Sequence, residues 1–129
     1  MDPNNLYALV HKGSALDSLG NYDGAIAYYD KALTIDPNNV YALTWKGISL
    51  GYSGNYDGAI AYYDKALTVD PLFEDALYYK GIALERSGDI AEAIKYYDKV
   101  LAVNPGNTYA IDTKNNATAA LNYLNGALE

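Results

Sequence analysis

The fifteen residues GNYDGAIAYYDKALT run from Gly20 to Thr34 and recur, letter for letter, from Gly54 to Thr68, a step of 34 residues. Identical sequence at a fixed period signals a repeat architecture, in which one supersecondary unit stacks on copies of itself. Working outward from that stretch, the four prolines, Pro3, Pro37, Pro71 and Pro105, keep the same step. So do Gly13, Gly47 and Gly81, and Ala25, Ala59 and Ala93. Three units follow, at 2–35, 36–69 and 70–103, with a partial fourth at 104–129. The first two units agree at 25 of 34 positions and the third matches the second at 18, so the third has diverged without losing the frame. The chain therefore reads as one domain, 1–129.

Each unit has the pattern of two helices. The first, near 6–19, puts Leu9, Gly13 and Leu16 on one helical face and ends at Gly20, a natural C-terminal cap. The second starts after Asn21, a favoured N-cap, and carries Ala25, Ile26, Tyr29, Ala32 and Leu33 on one face. Asp36-Pro37 stops it, because proline disfavours helical geometry in the residue before it. In the third unit Asp89 and Glu92 have capping-box spacing, whereas Gly24 and Gly58 stand in place of that Glu in the first two. The fourth unit keeps Lys114 in its frame but has Asn115 where the next Gly would fall. Its helix, near 108–125, is rich in Asn and Thr and also carries Asp112 and Lys114, a polar set that suits the solvent-facing cap of a stacked array.

These units resemble the tetratricopeptide repeat, a 34-residue helix-turn-helix family whose pattern includes Leu-Gly, a later Ala followed four residues on by an aromatic, and a closing Pro. The matching residues are Lys12-Gly13, Ala25, Tyr29 and Pro37, then Lys46-Gly47, Ala59, Tyr63 and Pro71, then Lys80-Gly81, Ala93, Tyr97 and Pro105. Leu9, Leu43 and Leu77 depart from the usual Trp, and a Lys replaces the Leu before each Gly. The resemblance implies an all-α, right-handed superhelical solenoid of antiparallel helix pairs. The lysine column Lys12, Lys46, Lys80 and Lys114 is expected to pack its stems along the helices, with the ammonium groups at the surface. Tyr28, Tyr29, Tyr62, Tyr63, Tyr96 and Tyr97 are expected to pack between helices.

Function should lie where the units differ. Of the nine differences between the first two units, eight fall in the first helix or its end. One face of that helix varies: Tyr7, Val10, His11, Ser14 and Ser18 in the first unit, and Tyr41, Thr44, Trp45, Ile48 and Tyr52 in the second. The third unit presents Asp75, Tyr78, Tyr79, Ile82 and Arg86 at the matching places. In the resembled family the first helices line the concave surface that holds a peptide, so the resemblance makes these residues the peptide-binding groove. Asp17, Asp75 and Glu85 are expected near its edges. Some members hold a terminal carboxylate with several Lys, Arg and Asn side chains. Here Arg86 is the only cation in the columns, so that clamp is missing.

Nine basic residues face sixteen acidic ones, for a net charge of -7, which disfavours nucleic-acid backbones and favours a partner with some basic character. Aromatic anchors call for an apolar segment, extended or helical, as that partner. No apolar run is long enough to span a membrane, and the N-terminus lacks a signal-peptide pattern, so a cytoplasmic protein is expected. One histidine and no cysteine leave no nucleophile triad, no zinc site and no cofactor to assign, and no enzyme is expected. Near-identical units also suit self-association, or an engineered repeat scaffold without a natural ligand. The start in a turn sequence and the closing Leu128-Glu129 fit a fragment or an engineered array.

Overall fold

The computed structural model describes residues 5–127. Asp2 and Pro3 of the first unit, and the closing Leu128-Glu129, lie outside them. The described residues form seven α-helices and no strand: α1 Leu6–Ser18, α2 Tyr22–Ile35, α3 Val40–Tyr52, α4 Tyr56–Val69, α5 Glu74–Arg86, α6 Ile90–Val103 and α7 Thr108–Ala127. They are three helix pairs and a final helix, as the period requires. Backbone contacts divide the chain into two compact units, one ending at Phe73 with α1 to α4, the other starting at Glu74 with α5 to α7.

The turns follow from the repeated residues. Gly20, Gly54 and Gly88 adopt φ of 77°, 90° and 99°, a left-handed geometry that glycine enters without steric cost. At the first of these, the Asn21 N–H donates to the Leu16 carbonyl and the Gly20 N–H to that of Asp17, both at 2.9 Å, which closes the helix end as a Schellman motif. Asn21 then caps α2 by accepting from the Gly24 N–H at 2.9 Å, and Asn55 repeats this with Gly58. Between repeats, Asp36 accepts from the Asn38 N–H across Pro37, and Asp70 from the Leu72 N–H across Pro71. The capping-box spacing of Asp89 and Glu92 is used only in part. Asp89 caps the Glu92 N–H, while the Asp89 N–H goes to Leu84 and the Glu92 carboxylate pairs with Lys95 at 3.2 Å.

Within each pair, the glycine of the first helix faces the buried tyrosine of the second. A Cβ on Gly47 would stand 2.5 Å from the Tyr63 ring and 3.1 Å from the Ala59 carbonyl, so only a residue without a side chain admits the ring. Gly13 faces Tyr29, and Gly81 faces Tyr97, in the same way. In the first unit Leu9, Ala32 and Ala42 form a cluster that joins α1, α2 and α3. In the second, Ala93, Tyr97 and Ala117 join α6 to α7.

The buried hydroxyls of Tyr29 and Tyr97 are satisfied by carboxylates. Tyr29 donates to Asp17 at 2.7 Å, and Tyr97 donates to Glu85 at 2.8 Å. Ser49, fully buried, donates to the second oxygen of Asp17 at 2.6 Å. Asp17 and Glu85, expected near the groove edges, are half-buried and serve as acceptors for these hydroxyls. Burial, and then these carboxylates, push the Tyr29 and Tyr97 hydroxyls far above the ordinary tyrosine range.

Candidate functional site

The lysine column proves to be structural. Lys46 reaches Asp30 of the preceding helix pair at 2.5 Å and lies over the Tyr62 ring, whose other neighbour is Lys65. Lys12 and Lys31 take the same places at Tyr28, as do Lys80 and Lys99 at Tyr96. Lys114 pairs with Asp98 at 2.6 Å. Burial lowers the Lys46 proton affinity, but Asp30 and the Tyr62 hydroxyl outweigh it and hold the ammonium above its ordinary range. These ammonium groups are therefore held by neighbouring side chains rather than simply hydrated, and the tyrosines of the second helices are packing residues.

The varying face of α1 and α3 folds into a recess of about 520 Å³ lined by Leu6, Tyr7, Val10, His11, Ser14, Asn39, Tyr41 and Trp45. Its walls are mostly apolar, and its rim is open: Tyr7 is 72 % exposed and Tyr41 55 %. The Tyr7 and His11 rings lie 4.1 Å apart, and Tyr41 meets Phe73 edge-on at 5.4 Å. Asn39 is at the rim because it caps α3, accepting from the Ala42 N–H at 2.9 Å.

A second recess, of about 250 Å³, opens between α5 and α7 and is lined by Glu74, Asp75, Tyr78, Tyr79, Asn107 and Tyr109. It stands at the same place in the repeat frame. Each of Leu6, Tyr7, Val10, His11, Asn39 and Tyr41 is two repeats before its counterpart in this list. The chemistry differs, however: Glu74 and Asp75 replace Leu6 and Tyr7. The Asn104 and Asn107 amides donate to one Glu74 oxygen at 3.1 and 2.6 Å and fix that carboxylate. Desolvation, and then the Glu74 charge, raise the Asp75 carboxyl above its ordinary value.

Not every expected residue reaches a recess. Thr44 and Ile48 are only 1 % and 3 % exposed, so they are interior residues and offer no surface. The Thr44 hydroxyl is buried without a hydrogen-bond partner. Tyr52 stacks on Tyr22 at 5.6 Å, away from the α1–α3 recess. Ile82 packs on the Ala93–Tyr97–Ala117 cluster, and Arg86 is exposed outside the α5–α7 recess. The residues missed are Leu6, Asn39, Glu74, Asn107 and Tyr109. Leu6 and Glu74 adjoin expected residues, and Asn39 shares the Asn5 cap column, which was the available signal. The Asn116-Ala117-Thr118 triplet sits inside α7, with Ala117 buried.

Among the described residues, no group of three His, Cys, Asp or Glu side chains is placed to hold a metal ion. No helix there is long and apolar enough to cross a membrane.

Seven helices in paired repeats with Gly, Ala and Tyr at the contacts define a helical repeat protein. Three family models, each described as a tetratricopeptide repeat, match residues 6–39, 28–61 and 46–108. The chain belongs to the tetratricopeptide repeat family, with three repeats and a capping helix. Among solved structures, it is similar to the Sgt2 TPR domain from Aspergillus fumigatus, with 25 % identity and a TM-score of 0.90, covering 96 % of this chain and 83 % of that one. It is also similar to the first TPR domain of human RPAP3, at 26 % identity and a TM-score of 0.89, covering 94 % and 95 %. A third is the first TPR of Spaghetti (RPAP3) bound to the HSP90 peptide SRMEEVD, at 26 % identity and a TM-score of 0.86, covering 94 % and 96 %. A search of curated proteins finds no match.

Proposed function

We propose that this chain is a non-catalytic interaction module that binds a peptide or helix on its first-helix faces, with the α1–α3 recess as the anchor site. The observation that carries the reading is that recess: apolar walls and exposed aromatic rims, on the face where the repeats differ. Aromatic side chains with polar tips are the usual anchors of such contacts. The peptide held by the similar RPAP3 domain supports a peptide as the class of partner. That peptide is acidic, whereas the present chain has a net charge of -7, so an apolar partner with some basic character suits it better. A cytoplasmic setting and indifference to nucleic acid belong to the same reading.

Selection from a displayed peptide library tests it. Peptides with an apolar anchor are expected to be enriched, and to lose binding at least tenfold to a Tyr7→Ser, Tyr41→Ser variant of unchanged stability. Enriched peptides that bind this variant equally well would overturn the assignment. One observation favours self-association as a second reading: Tyr123 and Leu124 are exposed on α7. Light scattering that shows a monomer at high concentration would exclude it.

A further inference from the structure

We infer that the recess between α5 and α7 binds a cationic side chain, of the arginine or lysine kind, through the Tyr78, Tyr79 and Tyr109 rings and the Asp75 and Glu74 carboxylates. The inference rests on the peptide-binding reading and specifies the partner chemistry at this second recess.

The cavity itself is the first observation: about 250 Å³, walled by three tyrosines and two carboxylates. Tyrosine faces carry negative quadrupole charge, and a cation seated over them is attracted most when partly desolvated. Tyr78 and Tyr79 already meet edge-to-face at 5.3 Å, so their rings present differently oriented walls. The Tyr78 hydroxyl is held 3.1 Å from the Thr113 hydroxyl, which fixes that ring from α7. A guanidinium suits this geometry, since it can stack on a ring while forking to a carboxylate, and an ammonium can meet the same groups as a point charge.

Charge complementarity is the second observation. The six lining residues carry two negative charges and no positive one. The Asn104 and Asn107 amides orient Glu74 and leave its charge in place. Asp75 is held above its ordinary value by desolvation first and then by the neighbouring Glu74 charge, and a cation seated between the two carboxylates would relieve that second, like-charge contribution. The matching recess between α1 and α3 has no carboxylate in its lining. A general preference for cations over the acidic surface would not distinguish these two places, whereas a built site would.

The test uses the full chain with N-acetyl-arginine amide as probe and its neutral isostere, N-acetyl-citrulline amide, as control, followed by amide NMR shifts. Saturable shifts confined to residues 74–79 and 107–113 are expected for the arginine probe, with citrulline at least tenfold weaker. Asp75→Asn and Tyr109→Leu should each weaken the response at least threefold. Both residues are exposed, so the fold should survive either change. Equal shifts from the two probes, shifts scattered over the acidic surface, or a response unaffected by both substitutions would overturn the inference. The probe needs no peptide from the library, so its failure is separate from a failure at Tyr7 and Tyr41.

Discussion

The Tyr29 hydroxyl donates to the Asp17 carboxylate at 2.7 Å, and through that one acceptor the second helix of the first repeat is tied to the first. Ser49 of α3 donates to the other oxygen, so three helices converge on a single side chain. Asp17→Ala would leave the fully buried Tyr29 hydroxyl without its carboxylate and leave Ser49, also fully buried, with only the Trp45 carbonyl at 3.1 Å as acceptor. The expected loss is about 1–3 kcal/mol, read as a lower urea midpoint at constant slope. Adding Tyr29→Phe should recover part of it, as coupled partners do.

The same bonds set an alkaline limit. Tyr29 and Tyr97 ionise far above the ordinary value of 10.0 in the folded chain. Because the folded state then holds protons that the unfolded state has released, this contribution is complete below about pH 10 and lost as pH rises beyond it. Urea midpoints should therefore be insensitive to these groups at pH 8 to 9 and fall from about pH 10 upward. A midpoint unchanged at high pH, or one that falls no less when Tyr29 and Tyr97 are both replaced by Phe, would count against the buried pairs.

Gly47→Ala offers a contest between two effects. Helix propensity favours the alanine by about 1 kcal/mol. Its methyl would nevertheless meet a Tyr63 ring that is buried and a carbonyl that belongs to α4. Overpacking of this kind costs typically about 1–3 kcal/mol, so a net loss of stability is expected in thermal or urea denaturation.

Thr44→Val should move stability the other way. The hydroxyl is buried without a partner, and replacing it by a methyl removes an uncompensated desolvation. A gain of about 1 kcal/mol is expected, seen as a higher urea midpoint.

The period made the helices legible, along with their caps and the columns of Gly, Ala and Tyr between them, because the same contact must be rebuilt in every copy. Single-copy features were harder to read. Asp17 and Glu85 accept from tyrosines 12 residues away across a hairpin, a pairing hidden because Gly51 interrupts the column between them. Thr44 and Ile48 share the varying face with Tyr41 and Trp45, yet they are buried, and helical spacing alone cannot separate an inner wall from its support. The recesses escaped in part for a similar reason. Asn39, Asn107 and Tyr109 enter them from the neighbouring repeat, so no single unit contains the complete lining.

The central claim is that the fixed residues hold the helices while the residual face of α1 and α3 receives a partner. Mapping a library-selected peptide by amide NMR tests it most directly. Shifts are predicted at residues 6–14 and 39–45, with the Trp45 indole among the largest. Shifts that spare these residues and gather on α2 and α4, around the lysine–tyrosine stacks, would contradict the account.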